Sequence, residues 1–238
     1  MNAKIITVWG AAGSGKSTVA SGLSMAIAER NCMVGLISSN LSCGELQSLF
    51  GRNVEESKGI YRAISNHCNT KNMFAETGHP NLFILSPPNS FDGMLLTAVS
   101  GDTARELLED SAMRFDYVII DGSCELNNPI SGMGLMMSDE IISVYRVSAR
   151  CCLWYRAMEN VSALLHLREK TIRVVNGYDK TCDKMVFLNS LNMKPDFELP
   201  YVANADVLIN SGKTLYQSHS GLYKKMMQRL ACQIMLGG

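Results

Sequence analysis

The sequence predicts an α/β fold, a mostly parallel twisted sheet with helices on both faces. Three observations predict it. Short apolar runs alternate with longer segments of helical period from one end to the other, as parallel strands joined by crossover helices do. Most of these runs are apolar throughout, which suits strands covered on both faces. The first run leads into a glycine-rich turn and then an amphipathic segment, the order strand, loop, helix. A chain of 238 residues with no internal repeat, no low-complexity segment and no Pro/Gly-rich linker is expected to form one domain over 1–238.

Taken in order, the apolar runs predict strands over 4–9, 33–38, 82–86, 117–121, 140–145, 172–176, 185–188 and 197–200. After the first strand, Val19, Leu23, Ala26 and Ile27 fall on one helical face, and the other face reads as polar. A second helix is announced by the capping-box spacing of Thr103 and Glu106, with Leu107, Leu108 and Met113 on its apolar side. A third is expected from about Ser148, carrying Leu153, Ala157, Val161, Leu164 and Leu165. Residues 127–138, rich in Gly and Met, read as an adaptable loop, where Met136 and Met137 suit a contact surface. Near the C-terminal end, Leu222, Met226, Met227, Leu230, Ile234 and Met235 share a helical side. A broad apolar face of that kind is expected to pack as a core helix rather than lie on a membrane.

Composition narrows the function. Lys and Arg number 22 and Asp and Glu 22, so the chain carries no formal net charge. That balance argues against a protein whose main task is to coat nucleic acid or anionic lipid, though DNA contact through a local patch stays open. The eight cysteines contain no C-x-x-C pair and read as buried, reduced thiols. None of the four histidines is spaced like a metal ligand. No apolar stretch is long enough to span a bilayer, and no secretory leader is recognisable before the glycines, so a cytoplasmic address is expected.

The segment Gly10-Ala11-Ala12-Gly13-Ser14-Gly15-Lys16-Ser17-Thr18 satisfies G-x-x-x-x-G-K-[ST] at every position. Glycines let such a loop turn its N–H groups inward onto phosphate oxygens, and the loop ends on a helix N-terminus that favours anions. Lys16 is placed to reach β- and γ-phosphates, and the Ser17 hydroxyl to ligate Mg²⁺. Much later, Ile119-Ile120-Asp121-Gly122 ends an apolar strand on a carboxylate. Asp121 there costs free energy unless a cation or a metal's hydration shell meets it, which fits a Walker B aspartate.

Gly10 to Thr18, the run 33–40, the strand ending at Gly122 and the closing stretch 197–216 together resemble the MinD/ParA family of positioning and partition ATPases. The resemblance implies Mg-ATP or Mg-ADP binding and a homodimer with nucleotide at the interface. It also implies base recognition by Asn176, with Pro200 and Tyr201 on the other side of the ring; a strand-end capping Asn is the alternative for Asn176.

Two departures stand out. The family's signature lysine after the first glycine is Ala11 here, and its acidic D-x-D pattern is Ser38-Ser39-Asn40, leaving Asn40 to take part in catalysis without a charge. Within the family, this pattern resembles the TadZ/CpaE branch or ParA-like proteins of mobile elements. A protein partner in a pilus, secretion, conjugation or partition system is then implied, with slow hydrolysis. The alternatives are a hydrolysis-deficient, constitutively dimeric localisation scaffold, or a small-molecule kinase or synthetase.

Overall fold

A computed structural model of the protein describes residues 3–90, 92, 98–178 and 183–237. Eight strands form one sheet in the order β3-β4-β2-β5-β1-β6-β7-β8. They are β1 (Lys4–Gly10), β2 (Val34–Ser38), β3 (Ala75–Glu76), β4 (Leu82–Leu85), β5 (Tyr117–Asp121), β6 (Glu140–Tyr145), β7 (Thr171–Tyr178) and β8 (Phe197–Pro200). All neighbours pair in parallel except β3, a two-residue edge strand antiparallel to β4. Seven of the eight expected strands are present close to their expected bounds.

Helices cover both faces. On one lie α1 (Lys16–Ala28) and the C-terminal α10 (Gly221–Leu236), packed on Ile6, Val8, Ile142 and Val144. On the other, α3 (Ile60–Ser65), α4 (Gly101–Ala112) and α5 (Pro129–Met137) cover Ile5, Ile37, Val118 and Ile120, after α2 (Glu45–Phe50) on the first face. The same second face is continued by α6 (Ala149–Ala157) and α8 (Lys184–Ser190), with α7 (Glu159–Leu164), which buries no residue, following α6; α9 (Ala205–Asn210) joins α10's side.

The remaining expected strand, 185–188, is helical: Asp183 caps α8 by accepting a hydrogen bond from Val186 N at 3.0 Å. Met185 and Val186 are 61% and 64% exposed, so this apolar run was never a buried strand. Residues 129–137 likewise form a helix instead of a loop, with Asn128 as its cap and Pro129 in the first turn. Gly134 permits α5 to lie against the sheet, because a Cβ there would meet Thr7 Oγ1 at 2.8 Å and Ile120 Cδ1 at 2.9 Å. Met136 remains 57% exposed.

The polar face expected on α1 does not exist, since Val19 to Ala28 are all buried. Ser24 resolves its burial by donating to the Ala20 carbonyl at 2.7 Å. The cap of α4 is Ser100, accepting from Thr103 N, and not Thr103 itself. The expected face of the third helix points outward: Leu153 and Leu164 are 66% and 78% exposed. Cys151 and Tyr155 are buried instead, because Tyr155 stacks on Tyr145 at 3.8 Å and donates to the Val144 carbonyl at 2.7 Å, which fixes the helix's rotation. Helix α10 packs as expected, burying Met227, Leu230 and Ile234. Of the seven described cysteines, Cys68 and Cys151 are buried and Cys43 is exposed, so the expectation of uniformly buried thiols holds only in part; Cys182 lies outside the described residues. Among the described residues, no helix is long and apolar enough to cross a membrane.

Candidate functional site

The phosphate loop leaves the sheet at the carboxyl end of β1. Gly10 is required by close approach, since a Cβ would sit 2.5 Å from the Val144 carbonyl oxygen and 2.9 Å from the Tyr155 hydroxyl. Gly15 takes φ +89°, a left-handed value that other residues rarely adopt, and it precedes α1 without a side-chain cap. The first N–H groups of α1 therefore have no capping side chain and are free to meet an anion. Lys16 Nζ donates across the loop to the Ala11 carbonyl at 3.0 Å, and Ser14 N closes the turn onto the same oxygen at 3.2 Å.

Parallel register places Asp121 opposite both Val8 on β1 and Ser38 on β2, at the mouth of the loop. Its carboxyl is 6% exposed, and Oδ1 has no hydrogen-bond partner. Burial pushes it up to about 7; the Ser17 hydroxyl and the Lys16 ammonium oppose the shift, and the negative charge of Glu45 adds to it. A buried carboxyl with an orphaned oxygen beside a serine hydroxyl is a donor set that suits a hard divalent cation.

A cleft of about 710 Å³ opens in front of the loop. Ala12, Gly13, Gly15, Lys16, Ser17 and Thr18 line one wall, and Asn40 and Asp121 line the other. Gly10, Ala11 and Ser14 support the loop from behind. Ala11 is 1% exposed in an apolar cluster with Tyr145, Cys151, Tyr155 and Val175. A lysine at this position would bring an ammonium into that cluster.

Ser38 is buried and satisfied locally, its hydroxyl on the backbone of Asn40 at 3.2 Å. Ser39 donates to the Asp121 carbonyl at 2.6 Å, tying the ends of β2 and β5 together. Beside Asp121 and the exposed Glu125, the cleft nevertheless holds a carboxylate that sequence reasoning missed, Glu45, at the first position of α2. Its signal lay in the Gly44-Glu45 helix start a few residues after Asn40. Asn128 was missed as well: it lines the cleft and donates to the Ser39 carbonyl at 2.8 Å.

Asn176, near the end of β7, donates from Nδ2 to the Ser14 carbonyl at 3.0 Å. Pro200 ends β8, and Tyr201 N donates to the Tyr178 carbonyl at 3.1 Å, with a side chain 55% exposed. Asn176 stands beside the loop, and none of the three residues lines the cleft. Among the described residues, no group of three or more His, Cys, Asp or Glu side chains could hold a metal.

Residues 3–178 match the AAA_31 family model, described as an AAA domain. The chain belongs to the AAA_31 family. No curated protein matches the sequence. Among solved structures, the cell division ATPase MinD of Pyrococcus furiosus superposes with a TM-score of 0.81 at 17% identity, covering 99% of each chain. A ParA family ATPase from Chlorobium tepidum gives 0.80 at 15% identity, over 97% of this chain and 99% of that one. The septum site-determining protein MinD of Pyrococcus horikoshii, complexed with Mg-ADP, gives 0.79 at 16%, over 98% and 96%. The AAA_31 chain thus has the fold of the MinD/ParA ATPases.

Proposed function

We propose that this AAA_31 protein is a Mg-ATP-binding, MinD/ParA-like ATPase that positions or partitions a partner through nucleotide-linked dimerisation, with slow hydrolysis. The observation that carries this reading is the convergence of Lys16, Ser17 and the Asp121 carboxyl, with its unpartnered Oδ1, on one cleft beneath a bare helix N-terminus. The Mg-ADP held by the Pyrococcus horikoshii relative supports it further.

Residues Gly13 to Thr18 supply backbone N–H groups to the phosphates, and Lys16 supplies the cation. Ser17 and Asp121 would hold the magnesium ion, which when bound neutralises charge on the transferring phosphate. Glu45 faces the same cleft and is the carboxylate suited to orient an attacking water, a role the uncharged Asn40 fills only by hydrogen bonding. Partners of a pilus, secretion, conjugation or partition system remain the class this reading implies.

A second reading, a constitutively dimeric scaffold without hydrolysis, is favoured by the burial of Ala11 and the inward turn of Ser38. Calorimetric titration with Mg-ADP tests the nucleotide site. Wild-type protein should bind saturably, and Lys16→Ala and Asp121→Asn should each weaken binding at least about tenfold, the loss of one charge-assisted contact. Equal affinities in all three proteins would overturn the assignment.

A further inference from the structure

Behind the phosphate loop, on the sheet face turned away from α1, lies a second cavity of about 460 Å³. Its floor is a row across three adjacent strands: Trp9 pairs with Ser143, and Ser143 with Arg173. The neighbouring positions Val8, Val144 and Val174 face α1 and the core, so alternation along each strand turns this row to the opposite side. A parallel sheet covered on both faces carries aliphatic residues as a rule. A serine and an arginine in such a row need a reason.

Arg173 supplies the main one. Its backbone N–H is held by Asp196 Oδ2 at 2.7 Å, but its partly buried guanidinium makes no hydrogen bond or ion pair with any described residue. The Ser143 and Tyr155 hydroxyls beside it are already bonded, at 3.2 Å to each other and at 2.7 Å from Tyr155 to the Val144 carbonyl. Arg156, Arg168 and Lys194 stand around the same space, against one lining carboxylate, Glu159, which Arg168 pairs at 3.0 Å on the rim. Trp9 in the floor and Tyr155 in the wall add aromatic surface. The volume lies within the range of small-molecule sites, roughly 300–1,000 Å³.

We propose that this cavity binds a small organic polyanion, with Arg173 as its central anchor and Arg156 and Lys194 completing the charge. Polyvalent oxyanion chemistry is shared by phosphate esters and polycarboxylates. Bidentate guanidinium contacts serve both. The site is separate from the nucleotide cleft but shares its framework, because the Tyr155 hydroxyl in the cavity wall lies directly behind Gly10.

Intrinsic fluorescence tests the proposal, because the chain has two tryptophans and both report on this region: Trp9 lines the cavity and Trp154 packs edge-on against it at 4.8 Å. Full-length protein, saturated with Mg-ADP and with magnesium in excess, is titrated with inorganic pyrophosphate and separately with citrate. A saturable response to either is expected, pyrophosphate indicating a phosphate ester and citrate a polycarboxylate. Arg173→Gln should raise the midpoint about tenfold or more, and the exposed Lys194→Gln by a smaller factor. No saturable response to either probe, or midpoints unchanged in both variants, would overturn the proposal. If Arg173→Gln proves unfolded by circular dichroism, Lys194→Gln and Arg156→Gln decide: a weakened response supports the site, and an unchanged one removes it.

Discussion

The Nδ2 of Asn176 donates to the Ser14 carbonyl at 3.0 Å, so a residue on β7 holds the middle of the phosphate loop from behind. The Asn176 amide fills the space a Cβ on Gly15 would need, and the left-handed φ of +89° independently favours glycine there. The contact also gives Asn176 a role that does not depend on the base. Asn176→Ala should weaken ATP, GTP and their diphosphates by the same factor, up to about tenfold for one lost hydrogen bond. Competition titrations check this, and a loss confined to adenine nucleotides would show base reading instead.

Ala11 is a packing residue in this protein. Placing a lysine there puts a long cation among Tyr145, Cys151, Tyr155 and Val175. Ala11→Lys should therefore lower thermal stability by about 1–3 kcal/mol, which for a chain of this size is a fall of several degrees, without accelerating hydrolysis. Differential scanning fluorimetry and a phosphate-release assay measure the two quantities.

Glu45 brings a carboxylate into the cleft where Ser38 and Asn40 bring none. Glu45→Gln should leave Mg-ADP affinity within about twofold and slow turnover by about a hundredfold or more, the order expected of a lost base or water-orienting group. Parallel calorimetry and single-turnover hydrolysis separate the two effects.

Far from the cleft, Asp110 joins Arg114 and Thr70. Burial would raise its carboxyl, but the hydrogen bonds from Arg114 and Thr70 outweigh it and hold the group below its ordinary value. A folded-state value lower than the unfolded one contributes stability that is present above the unfolded value and is lost as pH falls through the folded one. Wild-type protein should lose this contribution below about pH 4. Asp110→Asn should flatten that part of the acid unfolding curve and lower stability at neutral pH.

The strands and the loop were legible because both are local. Apolar runs such as Ile5 to Trp9 and Tyr117 to Asp121, and the spacing of Gly10, Gly15 and Lys16, carry their own instructions. The 185–188 run misled because four apolar residues fit a strand or a helix equally, and the deciding signal was the Asp183 cap. Asn128 followed by Pro129 is a helix start that the glycines of 127–138 obscured. The stripe from Leu153 to Leu165 has helical spacing, yet Tyr155 outweighs it by stacking on Tyr145, a partner that no local pattern reveals. Glu45 left only a helix-start signal and Arg173 none: one enters the cleft, and the other meets its cavity, only through tertiary placement.

In the proposed function, nucleotide in the phosphate-loop cleft controls association. Size-exclusion chromatography with light scattering, on wild-type protein without nucleotide, with Mg-ADP and with Mg-ATP, tests it most directly. The protein should show the 26.1 kDa mass of a single chain without nucleotide and with Mg-ADP, and twice that mass with Mg-ATP. One unchanged mass in all three states would contradict it.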